Sequence, residues 1–193
     1  MKNLYLLLLI CCNALTAQEK ILEGSFKDLA SISHYNVVFD YEGQKVDRFD
    51  TEEAFLEDKT GKREGEKAED FRRRWFEYRS TYYEPKFIDY FNKRMNGSVT
   101  VGKNADAYYT ILIKTLWIYP GYHVGIGREE SKISAVITVY ETANPSHILL
   151  KVKYDKSPGI EPTEDAHNPG NRIAGSYEKL ARNFTMQLKR FIK

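Results

Sequence analysis

Apolar residues recur along this chain with two periods, and each period predicts a different element. In residues 35–43, "YNVVFDYEG", Tyr35, Val37, Phe39 and Tyr41 alternate with other residues until Gly43, the pattern of a strand. Residues 107–119, "AYYTILIKTLWIY", form the longest such run. Its alternation puts Tyr109, Ile111, Ile113, Trp117 and Tyr119 on one face and Leu112, Leu116 and Ile118 on the other, before Pro120 and Gly121 stop it. Next, "SKISAVITVYE" aligns Ile133, Ala135, Ile137 and Val139, and "HILLKVKY" aligns Ile148, Leu150, Val152 and Tyr154. The intervening "TANPS" is turn chemistry, so these two runs predict an antiparallel hairpin. "SVTV" at 98–101 reads as a further short strand.

Two stretches follow the helical period instead. In "EDFRRRWFEYRSTYYEPKFIDYFNKRM", Phe71, Trp75, Tyr78 and Tyr82 fall on one stripe, and Phe87, Ile88, Phe91 and Met95 on a second. Basic residues mixed with aromatics also suit nucleic acid, but Arg72, Arg73 and Arg74 are consecutive and fan around the helix. Glu69 and Asp70 sit one turn before Arg73 and Arg74, in the stabilising acid-first order. The segment therefore predicts a helix with an aromatic core face and a salt-bridged exterior, kinked or restarted at Pro85, whose ring clashes with the Thr81 carbonyl in an unbroken helix. The second stretch closes the chain: Ile173, Tyr177, Leu180, Ala181, Phe184, Leu188 and Phe191 form one stripe. Its other side is basic, with Arg172, Lys179, Arg182, Lys189, Arg190 and Lys193. That face allows peripheral contact with an anionic membrane, although a core-quality stripe favours a structural helix. Residues 51–68 read as a short helix and a charged loop.

These elements predict an α/β (α+β) domain of two layers. A mainly antiparallel sheet of four to five strands carries a long kinked helix and a C-terminal helix on one face. The other face is left without a helix, and its residues are Leu112, Leu116, Ile118, Val136, Tyr140 and Leu149, diluted by Lys114, Thr138, Lys151 and Lys153. A purely solvated face is more uniformly polar than this. Leu112, Leu116, Val136 and Tyr140 are thus the candidate partner face, for another protein, a second copy, or the N-terminal segment.

The N-terminus changes where such a partner is sought. "MKNLYLLLLICCNALTAQEK" has the layout of a secretory signal: Lys2, a short apolar run, then small residues up to Ala17. The expected organisation is a signal at 1–17, an N-terminal extension at 18–34 and a single domain at 35–193, in the periplasm or secreted. The apolar run is too short to span a bilayer, so the mature chain is expected to have no transmembrane segment. A lipoprotein acylated at Cys12 is the less favoured alternative, because Ile10 and Cys11 replace the usual small pair. Cys11 and Cys12 are the two cysteines of the chain, so cleavage leaves no thiol for a disulfide, a nucleophile or a cysteine zinc site. Net charge is +2 over the 193 residues, and near-neutrality argues against a nucleic-acid partner.

Candidate chemistry is sparse, and no catalytic motif, cofactor site or metal site is assigned. His34, His123, His147 and His167 form no HExxH or HxH pair. Glu161, Glu164, Asp165 and His167 offer a weak cation site, but the calcium loop's spacing and its terminal bidentate Glu are missing, which favours a solvated acidic loop. "GYHVGIG" lacks the lysine of a phosphate loop. Tyr122 and His123, with Trp117 and Tyr119 nearby, could instead rim a ligand, or simply pack over the sheet end. Asp40 and Glu42 are the one close carboxylate pair at a strand end that invites inspection.

Taken together, "YNVVFDYEG", "EPKFIDYFNKRM", "ADAYYTILIKTLWIYPGYHVGIG", "VYETANPSHILLKVKY" and "NRIAGSYEKLARNF" resemble a family of small exported proteins of Gram-negative bacteria that has no established activity. The order of elements is also similar, more distantly, to the α/β domains of the TolB N-terminal and curli-secretion type, which implies a place in envelope assemblies. The resulting expectation is a non-enzymatic envelope interaction module, binding a partner protein or itself through the open face. The alternative is a small-ligand or glycan binder built on the aromatic loop.

Overall fold

Strand β5 (Tyr109–Tyr119) lies inside a seven-stranded sheet in the computed structural model, which describes residues 18–160 and 165–192. The strand order is β1 (Gln18–Gly24), β9 (Asn144–Pro158), β8 (Lys132–Glu141), β5, β2 (His34–Asp40) and β4 (Thr100–Gly102). A two-residue strand, β3 (Lys45–Val46), pairs with β5 beyond the end of β2. Neighbours from β1 to β5 are antiparallel, whereas β2 and β3 run parallel to β5, and β4 parallel to β2. The sheet is therefore mixed and larger than the four to five strands expected. Parallel pairing of β2 with β5 needs a crossover, which the helices α1 (Glu52–Thr60), α2 (Glu66–Tyr78) and α3 (Glu84–Met95) provide. The expected hairpin is present as β8 and β9.

Residues 18–34, read from sequence as an extension, supply β1 at the sheet edge and a 3₁₀ turn, Phe26–Leu29. That turn buries Phe26 and Leu29, and the Phe26 ring meets Phe184 at 5.2 Å between centroids. The expected signal, Cys11 and Cys12 lie outside the described residues. Among the described residues no helix is long and apolar enough to cross a membrane.

One irregularity reverses part of the expected pleat. Thr115 pairs with Ala135, but the next pair is Trp117 with Ser134, so Leu116 is an extra residue, a bulge. Before it Ile111, Ile113 and Thr115 face the helices; after it Ile118 does, fully buried opposite Ile133. Ile118 is thereby removed from the expected open face, and Trp117 and Tyr119 are moved onto it. Strand β9 slips similarly near its start. Leu150 and Val152 stay buried as expected, while Ile148 pairs with Tyr140 and Leu149 packs against the core.

The kink or restart expected at Pro85 takes the form of a π irregularity just before it, with Pro85 in the first turn of α3. Residues Arg79–Tyr83 form a π turn between α2 and α3, with the Glu84 N–H bonded to the Arg79 carbonyl. The wider turn leaves room for the proline ring and carries the helix onward. It also aims Tyr83 inward, where its ring lies against Tyr177 of α4 (Pro169–Leu188), centroids 5.2 Å apart. The Tyr177 and Thr115 hydroxyls are hydrogen bonded at 2.7 Å, tying α4 to the sheet. Further rings join α3, α4 and β2: Phe91 with Phe184 at 6.3 Å, and Phe39 with Phe87 at 5.8 Å.

The crossover is locked by one carboxylate. Glu52, in the first turn of α1, accepts hydrogen bonds from Trp75 Nε1, Gln44 Nε2 and Arg79 Nη2 at 2.6 to 2.7 Å. The Arg79 guanidinium also lies 4.4 Å from the centre of the Tyr41 ring. The arginines expected on the exterior are there, with Arg72 on Glu53, Arg73 on Asp70 and Glu77, and Arg74 on Asp70. The apolar stripe of α4 from Ile173 to Leu188 is consumed by the core, so it is not available to a membrane. Phe191, expected to extend that stripe, lies past the helix end and is 41% exposed.

Candidate functional site

The outer face of the sheet follows from pairing register, since directly opposed residues point the same way. One row across it reads Val38, Leu112, Thr138, Lys151; the next reads Asp40, Lys114, Val136, Lys153, Lys20. A third holds Lys45, Trp117 and Ser134, with the Ser134 hydroxyl donating to Asp155 at 2.9 Å. The four expected partner-face residues Leu112, Leu116, Val136 and Tyr140 all occur here, each half-buried, and Val38 joins them at 40% exposure. Opposite them, the helix-facing residues Ile111, Ile113, Ile137 and Val139 are fully buried. The open face is thus an apolar strip along β5 and β8, about 27 Å long at five rows two residues apart. On one side it is bordered by lysines of β9 and β1.

Electrostatics give that border its sign. Lys114 is bound to Asp40 at 2.7 Å and Lys132 to Glu129 at 2.7 Å. Burial by itself would raise the Asp40 carboxyl, but the hydrogen bonds from Lys114 and the Glu42 N–H hold it below the usual carboxylate range. Asp40 and Glu42 are therefore a turn and an ion pair, not two catalytic carboxylates. Lys151, Lys153, Lys156 and Lys20 are opposed on this face by Asp155 and Glu23, and Lys153 reaches Asp155 at only 3.7 Å.

The expected ligand rim divides into two places. Trp117 and Tyr119 are near-parallel, centroids 6.3 Å apart, at the end of the open face. Lys156 lies over the Trp117 ring at 5.7 Å and Lys132 over the Tyr119 ring at 5.4 Å, while Trp117 Nε1 donates to the Asp47 carbonyl. Tyr122 and His123 instead belong to a small hairpin of β6 (Tyr122–Val124) and β7 (Gly127–Glu129). They line a cleft with about 350 Å³ of open space, together with Glu129, Ser131, Ile160 and Arg172. Gly121 permits the turn into this hairpin: its φ is +65°, and a Cβ there would lie 2.4 Å from the Glu129 carbonyl.

Glu129 joins the two places, accepting from the Tyr119 hydroxyl at 2.7 Å on the face while lining the cleft. Lys132 and then Tyr119 hold its carboxyl below the usual range. Burial, with the Glu129 hydrogen bond, pushes the Tyr119 phenol up to about 12. Of the cleft's two arginines, Arg128 and Arg172, the second is tied into the fold: Arg172 donates to the carbonyls of Pro120, Ala166 and His167 at 2.7 to 3.2 Å, and burial pulls its pKa down. That set clips the turn after β5, the loop before α4 and α4 itself together. The His123 and His167 rings stack across the same junction, 4.6 Å between centroids. Ser131 and Ser176 bond each other at 2.7 Å beneath it.

None of this poses a nucleophile against a base. The Ser134 hydroxyl donates to Asp155 and accepts the Lys156 N–H at 3.0 Å, which fixes a β9 irregularity. His34 is bonded to Thr100 at 2.8 Å and His147 to Glu141 at 2.9 Å. Among the described residues no group of three or more His, Asp or Glu is placed to hold a metal ion. Glu161 and Glu164 of the acidic loop lie outside the described residues, and His167, its described histidine, stacks on His123. Arg172, expected on the basic outer side of the last helix, and Ser131 were not recognised as cleft residues from the sequence, since only the fold makes them neighbours. Comparison with family models, with curated proteins and with solved structures finds no match for this chain.

Proposed function

We propose that this protein is an exported, non-enzymatic interaction module that holds a protein partner on the open face of its sheet. The observation that carries the reading is the strip Val38, Leu112, Leu116, Val136 and Tyr140, half-buried or exposed on the side away from the helices. Aliphatic side chains aligned on a sheet face gain stability when covered, by about 25 cal/mol per Å² of apolar area removed from water.

The test is a photo-cross-linking residue placed singly at Leu112, Val136 or Tyr140 in cells of the source organism, with Lys67 of α2 as the outer control. A single adduct from the three sheet positions and none from position 67 supports the module. Adducts absent from all three sheet positions overturn it. A second reading, a small ligand in the cleft beside Tyr122 and His123, is favoured by the aromatic and charged side chains that line it. It predicts a ligand-dependent rise in melting temperature that Tyr122→Ala abolishes.

A further inference from the structure

Resting on the open-face reading, we infer that the segment held there is an acidic amphipathic helix from another protein, lying along β5 and β8. Three features of the face select it. First, the apolar residues along β5 and β8 form a line: Tyr140, Leu112, Val136, Trp117 and Tyr119 occupy five successive rows, with Leu116 in the bulge beside Trp117. A line about 27 Å long matches roughly 18 helical residues at 1.5 Å each. A helix aligned with the strands would add a third layer, the mirror of α4 on the inner face.

Second, the charge is one-sided. Lys151, Lys153, Lys156 and Lys20 outnumber Asp155 and Glu23 on the β9 and β1 side, whereas on the β2 side Asp40 is matched by Lys114. The occupant is therefore acidic along the flank that meets β9, and neutral or mixed along the other. Such a border sets orientation and register as well as attraction.

Third, the same charges disfavour a second copy on this face. A two-fold contact between open faces sets each lysine border against either the other copy's lysines or its Asp40 edge, which Lys114 already matches, so neither arrangement supplies the acidic counterpart. Aliphatic residues at the centre also need an apolar counterpart, which the phosphates and sugars of a nucleic acid do not offer.

The experiment uses a phage-displayed library of 18-residue helical peptides, selected against the full-length mature protein and re-selected on two variants. One variant is Lys151→Glu/Lys153→Glu; the other is Val136→Glu. Circular dichroism and melting confirm that both fold. The expected result is enrichment of amphipathic peptides with Glu or Asp along one flank. Their affinity should fall at least tenfold on either variant and weaken as salt rises. Enriched peptides that are neutral or basic, or that bind the lysine variant undiminished while failing on Val136→Glu, overturn the acidic helix but leave the open face as the docking site. Enriched peptides indifferent to both variants overturn both. No enrichment, or tight lysine-dependent binding to vesicles of one-third phosphatidylserine without it, overturns the protein helix. A dimer in sedimentation that Val136→Glu dissolves also overturns it, in favour of a second copy.

Discussion

The ring of Tyr83 lies 7° from parallel with that of Tyr177, yet only one of the two buried hydroxyls has a partner. Tyr177 bonds Thr115, whereas the Tyr83 oxygen is enclosed without a hydrogen bond. Removing each oxygen should therefore act in opposite directions. Tyr177→Phe is expected to cost about 1 kcal/mol, and Tyr83→Phe to be neutral or stabilising by up to about 1 kcal/mol. Truncation to Ala at Tyr177 should cost about 3–5 kcal/mol by opening a cavity. Urea unfolding of the three variants checks the ordering.

Alkali should unfold this protein through its buried phenols. Burial raises Tyr41, Tyr83, Tyr154 and Tyr177 above the ordinary phenol range. Each therefore prefers the neutral form when folded, while the unfolded chain ionises near pH 10, about the model-peptide value. Their contribution is intact below that pH and is lost as pH rises above it toward the folded-state values. Tyrosinate absorbance should show the exposed tyrosines titrating first, and the buried group ionising together with loss of ellipticity.

Glu52 is the position where a single carboxylate matters most in the crossover. Glu52→Ala leaves Arg79, Trp75 and Gln44 without their shared acceptor in a half-buried site. A loss of about 2–4 kcal/mol is expected, with Glu52→Gln milder because its carbonyl keeps one bond. Trp75 fluorescence reports the change directly.

Gly175 inverts the usual rule for helices. Alanine normally stabilises a helix interior by about 1 kcal/mol over glycine. Here a Cβ would lie 2.1 Å from the Ile160 carbonyl oxygen, and the Ile160 N–H bonds the Gly175 carbonyl at 3.0 Å. Gly175→Ala should instead destabilise by about 1–3 kcal/mol, as overpacking does, seen as a lower melting temperature.

Charge on the open face should leave the fold alone. Val136→Glu and Tyr140→Glu point away from the helix layer, so each is expected to change stability by less than about 1 kcal/mol in urea while abolishing capture of the partner.

Much of the fold was legible because the two periods are strong. The alternation in β2 and the stripe of α4 placed Tyr35, Val37, Ile173 and Phe184 in the core, where they are. The bulge at Leu116 was not legible, because β5 is apolar on both sides and a one-residue slip leaves no polar residue out of place. Trp117 therefore looked like an inner residue. Strand β1 was hidden for the opposite reason: "QEKILEG" has no alternation, and it becomes a strand by pairing with β9. The π turn was concealed by Pro85, which normally signals a break. Of the candidate site, Leu112, Val136 and Tyr140 were placed on the open face by period alone, whereas the cleft needed residues 122 and 172 to meet.

Pairing of β1 with β9 has a consequence for the order of assembly. Gln18 sits opposite Asp155, so almost the whole chain must be synthesised before the first strand has a neighbour. Contacts so distant in sequence close late and slow the search for the native state. A chain emerging from its N-terminus thus stays open along that edge until its last strand and helix follow. This delay leaves the sheet unfinished along that edge until most of the polypeptide has emerged.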